Sequence, residues 1–352
     1  MFEVNMREAR GILEMAIDEK LSVLLLGNPG VGKTDLVETV TRTKHYGFLC
    51  FEGPSLDPTD ARGVLIPDNG KSFFTRSALL PDPEAHGDKG VLLIDEISSA
   101  LPSVQVALHP LFHPKERRLG TDKLPDGWIP MATGNYSTDG AGAHALLTAF
   151  ADRCCIINVV EDLKVWKEDY AIPKGIHPIT IGFLNFRPDL FSTFKKRNKG
   201  EHGKAFATPR AHTYASAVLY YADKVEMGET TILAALAGYL GDGVASEIMA
   251  FRKTYKELPD VMDIYGGKDI IPKDPSVLFA LCSAMVARLA NFKAGKNKKG
   301  MTLTKAIDRL LEFSLSLDAE FGGVMIRDAF ISYSSELTSS KPWFQKVAKR
   351  YF

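Results

Sequence analysis

Gly27-Asn28-Pro29-Gly30-Val31-Gly32-Lys33-Thr34 is the stretch from which the rest of the chain can be read. It fits the pattern GxxxxGK[ST], in which glycines let the backbone wrap tightly and turn successive N–H groups toward a phosphate. Its surroundings agree with that chemistry. The preceding residues 21 to 27, LSVLLLG, form a short unbroken apolar run, as expected of a strand buried on both faces. Residues 33 to 44 then carry helical spacing, so the loop opens onto a helix N-terminus whose dipole favours an anion. In this reading Lys33 reaches the β and γ phosphates of ATP, and the Thr34 hydroxyl binds Mg²⁺. Gly27, Asn28, Pro29, Gly30, Val31 and Gly32 form the cradle.

Outward from this loop, further apolar runs appear at 48 to 52 (FLCFE), 91 to 95 (VLLID), 129 to 133 (IPMAT) and 155 to 160 (CIINVV). Helical stretches at 33 to 44, 98 to 113 and 141 to 150 separate several of them, and 6 to 19 reads as an amphipathic opening helix. Strands alternating with helices predict an α/β fold with a parallel sheet covered on both faces. After about residue 161 the pattern becomes helical, at 176 to 186, 210 to 225, 229 to 255, 275 to 292, 303 to 319 and 341 to 350. The expectation is an α/β half over 1 to 161 and an α-helical half over 162 to 352.

The run Gly90-Val91-Leu92-Leu93-Ile94-Asp95-Glu96 places two carboxylates at the end of a hydrophobic strand. Such a pair fits a second phosphate-site motif, with Asp95 orienting Mg²⁺ and Glu96 polarising the attacking water. A strand ending in Asp-Glu is weak by itself. Following the glycine loop in the same α/β half, it makes a nucleotide hydrolase the expected class.

Three more pieces complete a known succession. Ala132-Thr133-Gly134-Asn135 ends a strand, Ala151-Asp152-Arg153 precedes another, and Thr208-Pro209-Arg210 opens a helix in the second half. With the two Walker motifs, this order resembles AAA+ ATPases of the P-loop NTPase class, and in particular their MoxR-type branch, over roughly residues 10 to 225. The resemblance implies a core with a helical lid and a C-terminal helical extension. It makes Asn135 sensor 1, Arg153 an arginine finger for the neighbouring subunit's γ-phosphate, and Arg210 sensor 2. It also implies a homo-oligomeric ring, a hexamer, that remodels a partner protein in a chaperone-like way, and it points to a protein with a von Willebrand factor A domain as partner. Each residue also has a plainer use: Asn135 in a turn, Arg153 in a surface salt bridge, Arg210 beside the proline that starts its helix.

The resemblance gives meaning to two turn-bearing segments, 63 to 80 (GVLIPDNGKSFFTRSALL) and 117 to 131 (RRLGTDKLPDGWIPM), as inserted hairpins, and to Asp57-Pro58-Thr59-Asp60 before the first. Phe73, Phe74 and Trp128 then either meet a partner or pack inside their hairpins. Two rivals stand beside the remodelling enzyme: a nucleic-acid motor subunit, and a nucleotide-gated scaffold with little turnover.

Composition narrows the field. The 352 residues contain 43 basic and 43 acidic side chains, so no net field draws the chain to nucleic acid or membrane. The basic stretches 195 to 204 and 293 to 300 read as solvated loops without the aromatics that stack on bases. The cysteines, Cys50, Cys154, Cys155 and Cys282, match neither a disulfide framework nor a zinc site, and Cys154 and Cys155 read as small apolar residues of a buried strand. His109 and His113 are spaced HxxxH but lack the glutamate of a zinc helix and lie beside Pro110 and Pro114. The charged N-terminus does not read as a signal peptide, and no apolar stretch reads as approaching the roughly 20 residues that span a bilayer. A cytoplasmic location is expected.

Overall fold

The computed structural model describes residues 2–136, 144, 146, 148–196, 203–296 and 300–351. The chain folds as two compact units, Met1–Asp162 and Leu163–Phe352.

The first unit is built on ten strands: β1 (Glu3–Val4), β2 (Val23–Gly27), β3 (Gly47–Glu52), β4 (Leu65–Asp68), β5 (Lys71–Phe74), β6 (Gly90–Asp95), β7 (Arg118–Leu119), β8 (Asp122–Lys123), β9 (Trp128–Gly134) and β10 (Cys155–Val159). Six of them form one parallel sheet in the order β1-β10-β2-β9-β6-β3. The chain thus leaves β2 for β3, returns through β6, and inserts β9 between β6 and β2. Strand side chains alternate between faces. Val23, Leu25, Val91, Leu93 and Met131 pack with Leu13, Ile17, Leu36 and Val40 of helices Met6–Asp18 and Lys33–Thr43. Leu24, Leu92, Ile94 and Ala132 pack on the other face with Val104, Leu108, Phe112 and Phe150. Every residue of β9 is buried, which explains its unbroken apolar run. β1 joins the sheet edge through only two residues, too short for any periodicity to register.

The two insertions differ from each other. β4 and β5 pair antiparallel around Asn69 and Gly70, whose φ angles of 48° and 77° suit a tight hairpin turn. Phe73 and Phe74 on this hairpin are 48 % and 38 % exposed. Trp128 is different: it opens β9 and is fully buried. Its ring lies against Gly47 and Gly90, where an added Cβ would come within 3.0 and 2.6 Å of it, and its Nε1–H donates to the Gly87 carbonyl. Trp128 is therefore a core residue of the sheet and not a contact residue on the second hairpin, which is only the short β7–β8 pair.

Several sequence expectations change for local reasons. The stretch 98 to 113 is broken into a 3₁₀ turn, Ile97–Ser99, a helix, Pro102–Leu108, and a second 3₁₀ turn, His109–Phe112. Pro102 starts the helix, and Pro110 lacks the N–H that would prolong it. Cys154 lies before β10 and is buried, while Cys155 opens the strand and is exposed. Of the expected helix 141 to 150, residues 141–143, 145 and 147 lie outside the described residues, and the remainder ends in helix Thr148–Ala151.

The second unit is helical among the described residues. Helices Pro178–Phe186, Pro209–Val225, Glu229–Leu240 and Asp242–Lys256 enclose one core around Phe183, Leu219, Leu236 and Ile248. The expected helix 229 to 255 is split at Gly241, whose φ of 82° interrupts the ladder. A second core joins Pro275–Lys293, Leu303–Ser316 and Ala319–Thr338 around Leu281, Met285, Leu310 and Met325. Sequence periodicity misses Ala319–Thr338 because its buried face includes Gly322, Gly323 and Asp328, which are not large apolar residues, and its backbone is kinked at Tyr333. Helix Pro275–Lys293 corrects another expectation: by length and composition it is apolar enough to cross a membrane. Half of its most apolar window is buried within the unit, where it serves as a core helix. An ion pair between half-buried Lys167 and buried Asp328, at 2.6 Å, is tied in by Asn185, which bonds to both partners. Parts of the two basic stretches, 197–202 and 297–299, lie outside the described residues.

Candidate nucleotide site

The carboxyl ends of neighbouring strands in an open parallel sheet are where ligands bind. Here the ends of β2, β9 and β6 carry the glycine loop, Asn135 and Asp95-Glu96. Gly27 ends β2 so close to β10 that a Cβ would meet the Val159 carbonyl oxygen at 2.4 Å, so only glycine fits. Gly30 and Gly32 take φ angles of 77° and 105°, in the left-handed region that glycine occupies without strain. The loop then enters helix Lys33–Thr43 with no side chain capping its first turn, which leaves N–H groups there for an anion.

Lys33 is buried. Its ammonium donates to the carbonyls of Gly27 and Asn28 at 2.7 and 3.1 Å and to Oδ1 of Asn135 at 3.1 Å. The Thr34 hydroxyl lies 2.9 Å from each carboxylate oxygen of Asp95. A hydroxyl and a carboxylate are hard oxygen donors, a set suited to Mg²⁺. Lys33, Thr34, Asp95 and Asn135 are thus brought together from three strand ends. Glu96 is exposed beside them, with a left-handed backbone (φ 52°, ψ 38°) that is strained for a residue with a side chain.

The two arginines belong to other segments of the chain. Arg153 follows helix Thr148–Ala151 and is partly exposed. Its guanidinium meets Nδ1 of His109 at 3.1 Å and the His109 carbonyl at 3.4 Å, which gives one member of the HxxxH pair an ordinary partner. Burial, then the Arg153 charge, then His113 hold the His109 pKa below its usual value, so its ring stays neutral beside the guanidinium. Arg210 belongs to the second unit, where it is exposed in the first turn of helix Pro209–Val225. Thr208 caps that turn by accepting from the Ala211 N–H.

Three residues escape a reading by motif. Thr133 donates its hydroxyl to Asp95 and accepts from the Glu96 N–H at 3.1 Å. Ser98 accepts from the Asn135 N–H at 2.8 Å. Glu161 accepts from the side-chain amide of Asn28. The only local signal for the first is the hydroxyl within Ala132-Thr133-Gly134-Asn135; the other two pairings join residues far apart in the chain.

Residues 22–135 match the AAA domain family, dynein-related subfamily. The matched stretch holds Lys33, Thr34, Asp95, Glu96 and Asn135 and ends before Arg153 and Arg210. Among solved structures, the chain is similar to a candidate ATPase from Cytophaga hutchinsonii at 15 % identity and a TM-score of 0.32, covering 92 % of this chain and 79 % of the other. It is also similar to RuvB of Thermotoga maritima, a Holliday junction branch migration motor, at 18 % identity and a TM-score of 0.37, covering 80 % and 82 %. NtrX from Brucella abortus, solved in complex with ATP, aligns at 16 % identity and a TM-score of 0.35, covering 92 % and 66 %. These overlaps are low and carry no argument; the family match over residues 22–135, together with the geometry of the site, supports an ATPase.

Proposed function

We propose that the chain hydrolyses ATP as a subunit of a MoxR-type AAA+ ring, a hexamer in the cytoplasm that remodels a partner protein. In this reading residues 1–161 are the AAA+ core, and 162–352 are the helical lid and C-terminal extension. The observation that carries it is the pair of hydrogen-bonded contacts, Lys33 to Asn135 and Thr34 to Asp95, gathered at the carboxyl ends of β2, β6 and β9.

Each residue has a task in that cluster. The glycine loop and the uncapped helix N-terminus bind phosphate oxygens through backbone N–H groups. Lys33 exchanges its carbonyl partners for the β and γ phosphates and offsets their charge. Mg²⁺, when bound at Thr34 and Asp95, neutralises charge developing on the transferred phosphoryl group. Glu96 accepts a proton of the attacking water, while the Asn135 amide helps to hold that water in line. Arg153 acts on the nucleotide of the neighbouring subunit, where a guanidinium stabilises charge that grows in the transition state. Arg210 serves as sensor 2, projecting from the helical lid. A protein with a von Willebrand factor A domain is the partner to seek first.

Steady-state hydrolysis measured together with light scattering tests this reading. Mg²⁺-dependent ATP turnover and a hexamer in the presence of a slowly hydrolysed ATP analogue are expected. A particle that stays monomeric with the analogue at high protein concentration excludes the ring, and turnover that requires single-stranded DNA favours a nucleic-acid motor instead.

A further inference from the structure

The ladder between β6 and β9 has its last register pair at Ile94 and Ala132. The chemistry lies beyond that point, at Asp95, Glu96 and Asn135, where two hydroxyls join the strand ends. Thr133, fully buried, donates to Oδ1 of Asp95 and accepts from the Glu96 N–H. A carboxylate only accepts and an amide N–H only donates, so the single hydroxyl proton of Thr133 is assigned by its neighbours. Ser98, also buried, works in the opposite direction: from just past β6 it accepts the N–H of Asn135 at the end of β9. Gly134 allows this approach, because a Cβ there would come within 3.0 Å of the Ser98 hydroxyl and of Leu26.

We propose that Thr133 and Ser98 are positioning residues, a reciprocal pair of hydroxyls that sets Asp95, Glu96 and Asn135 in register for hydrolysis. The inference rests on the ATPase reading above. Thr133 orients the Asp95 carboxylate and, by holding the Glu96 N–H, keeps Glu96 in its left-handed conformation, from which its carboxylate is presented. Ser98 holds the backbone of Asn135 while the Asn135 side chain meets Lys33. Neither hydroxyl needs to touch substrate.

The test compares Thr133→Val, Thr133→Ser and Ser98→Ala in the full chain. Melting temperature, affinity for a fluorescent ATP analogue, kcat, KM and amide hydrogen exchange are measured for each. Thr133→Val keeps the shape and removes both bonds. It should lower kcat by about tenfold or more, since misplaced reacting groups are costly, while nucleotide affinity changes by less than about threefold. The Glu96 amide should exchange faster. Thr133→Ser should restore all three readouts, and Ser98→Ala should speed exchange at Asn135 and lower kcat. Wild-type kcat with unchanged Glu96 exchange in Thr133→Val overturns the proposal. So does a parallel loss of stability, affinity and turnover that Thr133→Ser does not recover, which marks a purely structural role. Should Thr133→Val not fold, Ser98→Ala decides the matter by the same readouts. A wild-type chain without ATP turnover rejects the ATPase reading, whereas exchange at Glu96 and Asn135 still reports on the hydroxyl pair.

Discussion

Asn28, the second residue of the glycine loop, donates its side-chain amide to both carboxylate oxygens of Glu161, at 2.9 and 3.2 Å. The pair joins the loop after β2 to the segment just past β10, its neighbour in the sheet. Asn28 is buried, and its Oδ1 has no partner among the described residues. Turning the amide over would set an acceptor against the carboxylate, so the Glu161 charge fixes which way it points.

Glu161→Ala should leave that buried amide without its acceptor, at a cost on the order of 1–3 kcal/mol. ATP affinity should fall with it, because the loop loses a tether. Glu161→Gln keeps an acceptor and should recover most of the loss. Thermal unfolding and nucleotide titration of the two variants check this, and equal behaviour of Ala and Gln would mean that the bond does not shape the loop.

Lys33→Ala and Glu96→Gln should fail in different ways. Lys33 is the buried cation of the cluster, so its loss should abolish nucleotide binding at micromolar concentrations. Glu96 is exposed beside the cluster, and its amide variant keeps Asp95 and Lys33 intact. Binding should persist while turnover drops by about 10²–10⁴-fold, the range for loss of a general base. Wild-type turnover in Glu96→Gln would remove that residue from the reaction.

Arg153 should act in trans. Lys33→Ala subunits cannot hold ATP but carry the arginine; Arg153→Ala subunits hold ATP but lack it. Mixed at intermediate ratios, they should regain activity that neither shows alone, once a labelled-subunit control demonstrates exchange. No rescue at any ratio, with exchange shown, returns Arg153 to its contact with His109. In Arg153→Ala the His109 pKa should also rise, because the second largest cause of its depression is gone; NMR titration reads this.

His212 should make the protein acid-sensitive. It is fully buried, its ring lies 3.1 Å from the Leu190 carbonyl, and burial pulls its pKa down to about 4. The unfolded chain takes up this proton near pH 6.5 and the folded chain only near pH 4, so the unfolded state binds more protons between those values. Stability contributed by the neutral ring is full above about pH 6.5 and is lost as pH falls toward 4, on the order of 3 kcal/mol in all. Chemical denaturation of wild type and His212→Gln across that window should show a flatter pH dependence for the variant.

The candidate nucleotide site is legible in the sequence to the extent that its chemistry is local. A glycine loop between an apolar strand and a helix declares itself within eight consecutive residues, and so does a hydrophobic strand ending in Asp95-Glu96. The fully buried strands were readable for the same reason, since a strand covered on both faces needs an unbroken apolar run. Helix Ala319–Thr338 was not, because Gly322, Gly323 and Asp328 within its buried face and the kink at Tyr333 interrupt the apolar stripe by which a helix is recognised. Trp128 was ambiguous for a related reason: a turn-bearing segment suggests a hairpin, whereas only the glycines of β3 and β6 beside it provide the slot in which its ring is buried.

The list of reactive groups and their order along the chain follow from the residues alone. Their partners follow from packing. Thr133 meets Asp95, Ser98 meets Asn135 and Asn28 meets Glu161 because β9 lies between β2 and β6 and β10 lies on the far side of β2. Strand order is a property of how whole layers pack, and no local spacing encodes it. A hydrogen bond, with its reach of about 3 Å, forms only after that packing has brought distant strand ends together.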